Sequence, residues 1–214
     1  MSILYYSLTF ILAYLIGSFP TGVIVGKLFY HEDIRKYGSG NIGTTNSFRV
    51  MGPIGGSIVL LIDVLKGTLA TDLPRLFHLH GPNYLLLAAG ICAILGHTFP
   101  IFLKFKGGKA VATSAGVFLG YNLKFFGVCA LIFLPILFVT SYVSLSSLIS
   151  IVLIFICSFW FHDIFLTSIA GVMMIILFIR HRDNIKRLIH HNENIVPFGL
   201  LYWYKKAHHQ LKNK

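Results

Sequence analysis

The chain has 214 residues, of which 56% are hydrophobic and only 12% charged. Soluble domains carry about 25% charged residues, so this composition excludes an ordinary water-soluble fold and points to a polytopic membrane protein. The formal net charge of +11 falls in loops and tail beside apolar runs, a placement that argues for membrane topology and anionic lipid contact and against nucleic-acid binding.

The first apolar run, Ile3 to Val25, predicts a helix kinked at Gly17-Ser18-Phe19-Pro20-Thr21-Gly22. Its start, Met1-Ser2-Ile3-Leu4-Tyr5, has no basic leader and no small-x-small cleavage site after it, so it reads as a retained helix. A polar loop with Lys27, His31, Glu32, Asp33, Arg35 and Lys36 leads into a glycine-rich stretch, Gly38 to Arg49. Met51-Gly52-Pro53 then opens a second helix, Ile54 to Thr71, which carries Asp63 and Lys66 on one face. Asp72, Arg75, His78 and His80 fall in a short loop. Further helices are expected at Tyr84 to Leu103, Ala110 to Tyr121, Phe125 to Val143, Leu145 to Phe161 and Ile164 to Ile179, before a basic tail from Arg180. Cys92, Cys129 and Cys157 each sit inside an apolar run without CxxC spacing, as buried small hydrophobes do.

Charge decides whether the short run from Ala110 is a span. If it is, Lys27, Arg35, Lys36, Arg49, Lys104, Lys106, Lys109 and the tail cations share one side, against Arg75 and Lys124 on the other. The positive-inside rule then gives an all-α, polytopic integral membrane helix bundle of seven transmembrane helices, N-terminus outside and C-terminus cytoplasmic. It is expected to be a single domain over 1–214 in a bacterial inner membrane, with every polar motif facing the cytoplasm.

Three motifs suit anions. The stretch Gly38-Ser39-Gly40-Asn41-Ile42-Gly43-Thr44-Thr45-Asn46-Ser47-Phe48-Arg49 combines glycines, hydroxyls, amides and a guanidinium ahead of a helix. It reads either as a phosphate cradle or as a flexible polar connector. Lys104-Phe105-Lys106-Gly107-Gly108-Lys109 places cations at a helix start but is not a Walker A loop, since Ala110 stands where Ser/Thr is needed. Arg180-His181-Arg182-Asp183-Asn184-Ile185-Lys186-Arg187 carries His181 and Asn184 at a spacing that puts both on one helical face. His97 is either a general base or phosphate donor, or a partner in interhelical hydrogen bonds. Lys66 either reaches the cytoplasmic end or pairs with Asp63. The hydroxyls of Thr140-Ser141-Tyr142-Val143-Ser144-Leu145-Ser146-Ser147 bind a ligand or satisfy backbone carbonyls. Together the motifs predict a phosphorylated substrate handled beside the lipid phase.

These motifs resemble those of the bacterial acyl-phosphate:glycerol-3-phosphate acyltransferases, the PlsY family. Gly38 to Arg49 matches GSGNIGATNxxR with Thr44 for the alanine, and Gly96 to Thr113 is similar to GHxFPxFLxFKGGKxVAT. Arg180 to Glu193 resembles RHxxNIxRLxxGxE with His191 in place of the glycine, and Ser141 stands where a basic residue is common. The resemblance implies transfer of a fatty acyl group from acyl-phosphate to the 1-position of glycerol 3-phosphate, giving lysophosphatidic acid and phosphate in phospholipid biosynthesis. No cofactor is implied. Membrane lipids and a functional link to an acyl-phosphate-forming enzyme are. No His-x4-Asp acyltransferase signature occurs.

On that resemblance, the catalytic residues are Ser39, Arg49, Lys106, His181 and Asn184. Gly38, Gly40, Asn41, Thr45 and Asn46 bind substrate in the first motif, as do Lys66 and His97 outside it. Lys104, Gly107, Gly108 and Lys109 do so in the second motif, and Ser144 and Arg187 complete the set. The hydroxyl proton goes either to a substrate phosphate oxygen or to His97. A transporter of an organic phosphate or lipid is the rival class, but internal repeats typical of transporters are not visible in the sequence.

Overall fold

A computed structural model describes residues 3–212, with side chains as far as residue 208. Met1, Ser2 and the tail cation Lys214 lie outside the described residues. The chain divides into two compact units, Met1–Leu123 and Lys124–Lys214. The described residues contain helices and turns but no strand.

In the first unit, the kinked opening helix is two helices, α1 (Ile3–Ser18) and α2 (Thr21–Phe29), bent by 45°. Pro20 stands at the N-cap of α2, where a missing N–H costs nothing. A 3-10 turn, Ile34–Lys36, precedes the glycine-rich stretch. That stretch differs from expectation in its second half. It is already helical from Thr44, because Gly43 sits extended at the N-cap and its carbonyl accepts from the N–H groups of Asn46 and Ser47, both at 3.1 Å. The resulting helix, α3 (Thr44–Leu76), contains a break at Gly52 (φ 71°, ψ −169°), a backbone conformation natural to glycine. It also runs past the predicted end at Thr71, so Asp72 and Arg75 pair along its last turn at 2.9 Å.

The next helix, α4 (Tyr84–Thr98), is shorter than expected. Pro100 ends it and a 3-10 turn, Ile101–Leu103, continues the chain. Last comes α5 (Val111–Tyr121), which at 11 residues measures about 16 Å against a hydrocarbon core of about 30 Å. It is held by backbone proximity: a Cβ on Gly116 would collide with the Val64 carbonyl, and one on Gly67 with the Thr113 carbonyl. Lipid offers helices no hydrophobic reason to associate, so small residues that let backbones meet take that role. Thr68 Oγ1 donates to Gly116 O at 3.0 Å, and Arg75 Nη1 to Gly120 O at 3.0 Å, binding α3 to α5. Ala13, Ala70, Leu73, Ala89 and Ala93 form a second small-residue core among α1, α3 and α4.

The second unit consists of α6 (Leu123–Thr140), α7 (Val143–Ser158) with a 3-10 turn Phe159–Phe161, α8 (Ile164–Arg180), α9 (Arg182–Ile189) and α10 (Leu200–Lys212). Asp163 caps α8 by accepting from Phe165 N at 3.0 Å and Leu166 N at 3.1 Å. A 60° bend separates α8 from α9. By length and apolarity, four helices can cross a membrane, or up to six if each bent pair counts as one span.

Candidate active site

In the first unit, the glycine-rich loop is folded around one side chain. Asn46 is 1% exposed. Its Nδ2 donates to the carbonyls of Ile34 (2.9 Å), Asn41 (2.9 Å) and Tyr37 (3.2 Å), while its Oδ1 accepts from Ser39 N at 2.9 Å. Asn41 makes a local Asx turn, accepting from Gly43 N at 2.9 Å. Gly38 has φ +60°, and a Cβ there would strike Asn46 Oδ1 and come within 3.1 Å of Arg49 Cδ. The stem of Arg49 therefore leans across Gly38, beside Ser39, and both Ser39 and Arg49 are exposed. Gly40 also has φ +69°, and Thr45 lies half-buried in the first turn of α3. In front of this loop, Asp33 binds Arg35 through two bonds of 2.8 and 2.6 Å. The guanidinium lowers the Asp33 carboxyl to about 2.

The lysine-rich loop rests on a buried polar network. Lys66 pairs with Asp63 at 2.7 Å and donates to the Phe19 carbonyl at 3.2 Å. Thr21 Oγ1 donates to Asp63 Oδ1 at 2.9 Å. His97 places Nδ1 3.2 Å from Thr113 Oγ1 and 3.8 Å from Asp63 Oδ1. Ionisable groups inside an apolar bundle must find one another, which explains why Lys66 turns inward. His97 is 4% exposed and stands between Thr113 and Asp63, on helices α5 and α3. Its carbonyl accepts from Gly108 N at 3.0 Å, and a Cβ on Gly108 would meet its Nε2, so only glycine lets the loop lie flat on the imidazole. Gly107 is packed equally closely on the His97 and Thr98 carbonyls. Lys104 (φ 51°) and Phe105 (φ 61°) turn the chain sharply, leaving Lys104 and Lys106 exposed and Lys109 half-buried at the start of α5. Leu103 packs on the same core, Val23, Ile34, Ile42 and Met51, that underlies the glycine-rich loop. An apolar groove of about 360 Å³ is lined by Leu12, Leu15, Ile16, Phe19 and Phe102, with Lys66 in its wall.

In the second unit, Glu193 gathers the third motif. Its Oε1 accepts from Asn184 Nδ2 at 2.8 Å and Ser144 Oγ at 3.1 Å, and its Oε2 from Arg187 Nε at 2.7 Å. His181 Nδ1 lies 2.9 Å from the Leu177 carbonyl. A carbonyl only accepts, so Nδ1 carries the proton and Nε2 is the neutral ring's acceptor. His181, at the α8–α9 junction, and Asn184, in the first turn of α9, are both buried. Of the serines at the start of α7, Ser146 and Ser147 return their hydroxyls to the Tyr142 and Val143 carbonyls at 2.7 and 2.8 Å. Ser144 alone among these three reaches Glu193.

The structure thus gathers the predicted residues into clusters, two in the first unit and one in the second. Glu193, Thr21 and Thr113 received no role from sequence. For Glu193 a signal existed: the chain has only 7 acidic residues against 18 basic ones, so an acid in the basic tail is bound to be paired. The His191 departure also becomes intelligible. Residue 191 has φ +58°, the left-handed region that suits glycine, and histidine occupies it at some cost.

Apolar helices long enough to cross a membrane, joined by cation-bearing polar loops on buried networks, define an integral membrane protein. The chain belongs to the glycerol-3-phosphate acyltransferase family, whose sequence model matches residues 7–191, and it is a PlsY-like membrane enzyme. It is similar to glycerol-3-phosphate acyltransferase 2 of Lactobacillus johnsonii, 82% identical over 212 residues, covering 99% of this chain and 97% of the relative. The corresponding protein of Lactobacillus acidophilus is 66% identical over 203 residues, covering 95% and 96%. Among solved structures it is similar to PlsY, an integral membrane glycerol 3-phosphate acyltransferase, in its glycerol 3-phosphate form (TM-score 0.81, 34% identity, 89% of this chain and 95% of that one). The lysophosphatidic acid form gives a TM-score of 0.78 at 33% identity, covering 89% and 94%.

Proposed function

We propose that the enzyme transfers a fatty acyl group from acyl-phosphate to the 1-hydroxyl of glycerol 3-phosphate, releasing lysophosphatidic acid and inorganic phosphate. The hydroxyl oxygen bonds to the acyl carbon, the bond from that carbon to the phosphate oxygen breaks, and the hydroxyl proton passes to a phosphate oxygen. The observation that carries this reading is the Asn46-clasped loop, in which Asn46 holds the Ser39 N–H, the Arg49 stem crosses Gly38, and both Ser39 and Arg49 are exposed. Such a loop suits a phosphate before and during departure. Lys106 and Lys109, with Lys104, add cations at the N-terminus of α5, and Gly107 and Gly108 let the loop that carries them lie close against His97. Acyl-phosphate is already activated, so positioning two anions supplies much of the catalysis, with effective molarities on the order of 10⁵–10⁸ M as the upper case. The apolar groove walled by Lys66 offers a surface for the acyl chain. His181 and Asn184, oriented by the Leu177 carbonyl and by Glu193, position glycerol 3-phosphate, with Ser144 and Arg187 beside them. His97 acts through the loop it supports, which favours a substrate phosphate oxygen as the proton acceptor.

The same reading makes the chain a seven-span protein of the bacterial cytoplasmic membrane. Bent α1–α2, then α3, α4, short α5, α6, α7 and α8 are the spans, with the polar loops cytoplasmic. The charge distribution supports it, as does the backbone packing of α5 on α3.

The test is purified protein with labelled glycerol 3-phosphate and, in parallel, palmitoyl-phosphate, palmitoyl-CoA or palmitoyl acyl carrier protein. Lysophosphatidic acid and phosphate should form with palmitoyl-phosphate alone. Product only from the thioesters would reject the donor and keep the acyltransferase.

A further inference from the structure

The family match ends at residue 191, and α10 lies beyond it. This helix is seated on the end of α6. Gly199 (φ +97°) packs against the Phe138 carbonyl and Ser141 Oγ. Ser141 then caps α10 from outside, its Oγ accepting from Tyr202 N at 3.1 Å while its carbonyl accepts from Val196 N at 2.8 Å. Ser141 is fully buried, a place no basic side chain could fill without moving the tail. The Trp203 ring stands edge-on to Phe138 at 5.7 Å. Phe138 lies just before Thr140, where a helix long and apolar enough to cross a membrane ends. Trp203 is therefore held at the depth where hydrocarbon gives way to headgroups, a depth Trp and Tyr favour.

The outward face of α10 has the matching chemistry. Leu200, Trp203, Tyr204 and Ala207 recur at i, i+3, i+4 and i+7, and the first three are 50%, 51% and 60% exposed. Lys206 projects from the flank of this stripe and Lys205 from the far side of the helix, where it lies 3.3 Å from the Tyr142 hydroxyl and 5.6 Å from its ring centre. No acidic residue follows Glu193 in the sequence. We propose that α10 is a lipid-docking helix: Leu200, Trp203, Tyr204 and Ala207 seat in the membrane interface beside α6, and Lys205 and Lys206 bind anionic lipid headgroups. An apolar stripe on a helix with cations and no acid, fixed at the end of a span, complements an anionic lipid surface better than a protein surface.

The chain has two tryptophans, so Trp160→Phe, at an exposed turn position, leaves Trp203 as the reporter. The full-length variant is placed in nanodiscs of phosphatidylcholine with or without phosphatidylglycerol, and quenched by brominated acyl chains or by aqueous iodide. Brominated chains should remove most of the Trp203 emission in anionic discs and less in neutral ones. Lys205→Gln with Lys206→Gln should lower the ratio of docked to undocked tail roughly fivefold per lysine. Lys206→Gln alone, which leaves the Lys205–Tyr142 contact, should show its own share of that loss. Quenching by iodide alone would place the face in water and overturn the proposal. Protection from both quenchers would mean a second copy or another protein covers the face, and would overturn it too. Equal quenching in both discs would remove the anionic headgroup from it.

Discussion

The two units hold their polar loops by opposite chemistry. In the first, Asn46 is a neutral clasp whose bonds all go to backbone groups, so it shapes the chain and leaves the loop's cations at the surface. In the second, Glu193 is a charged clasp whose partners Ser144, Asn184 and Arg187 are all side chains, so it aims functional groups. A buried amide needs only hydrogen bonds, whereas a buried carboxylate needs a counter-charge as well. The first unit keeps its own buried charge pair, Asp63–Lys66, a layer beneath the loops. A carboxylate in Asn46's place would draw Arg49 inward and compete with phosphate for it.

That contrast is open to attack at several points. The largest effect belongs to Arg49: Arg49→Ala should lower turnover about 10²–10³-fold while leaving insertion and thermal unfolding unchanged. Normal rates would remove the Asn46-clasped loop from the chemistry. Next comes the charge pair beneath it. Asp63→Asn leaves Lys66, whose side chain is 5% exposed, without a counter-charge, and should destabilise by about 3–5 kcal/mol in detergent melts. Asp63→Asn combined with Lys66→Met should recover most of that loss.

The clasps can then be compared directly. Asn46→Ala should cost about 2–3 kcal/mol and speed hydrogen exchange across residues 34–46, since several backbone bonds go at once. Glu193→Gln should cost only about 1–2 kcal/mol, because Arg187 is 37% exposed and the amide still accepts. Its signature should be a raised KM for glycerol 3-phosphate. The reverse order of stability losses would end the distinction between the two clasps. A smaller change, His191→Gly, should stabilise the second unit by about 1 kcal/mol by relieving a left-handed residue.

The smallest effect concerns Asp33. Its folded pKa is lowered from 3.8 to about 2 by Arg35, so the pair's stabilisation is complete above the ordinary value and disappears as the pH falls through about 2. Carboxyl NMR should show Asp33 titrating near that lower value, and Arg35→Gln should return it toward 3.8. Arg35 is 43% exposed, which keeps the effect on global stability slight.

Much of the fold could be read from the amino-acid order. The kink near Pro20, the inward face shared by Asp63 and Lys66, and the helices of the second unit follow from apolar run length, proline placement and i, i+3 spacing. The helical start at Thr44 was hidden because Thr44-Thr45-Asn46 has weak helix propensity. It forms through the Gly43 carbonyl and the Asn46 clasp, whose partners lie up to twelve residues away in sequence. The tail helix was hidden for the same reason: its seat is Ser141, sixty-one residues before the Tyr202 N–H that it caps.

By itself, the sequence determined the solvent, the chemistry and the inventory of this protein. Apolar runs dictate lipid-facing helices, and the residue types of Ser39, Arg49, the Lys104–Lys109 loop, His181 and Asn184 suit an anionic ligand, since residue type sets what a group can bind. Only tertiary structure decided which polar side chains face inward to hold loops and which face out. Asn46, Lys66 and His97 look as functional in sequence as Arg49 and Lys106, while Glu193 drew no role from it. Their tasks depend on partners such as Ile34, Phe19, Thr113 and Ser144, and in an apolar bundle a polar group goes wherever its hydrogen bonds can be completed.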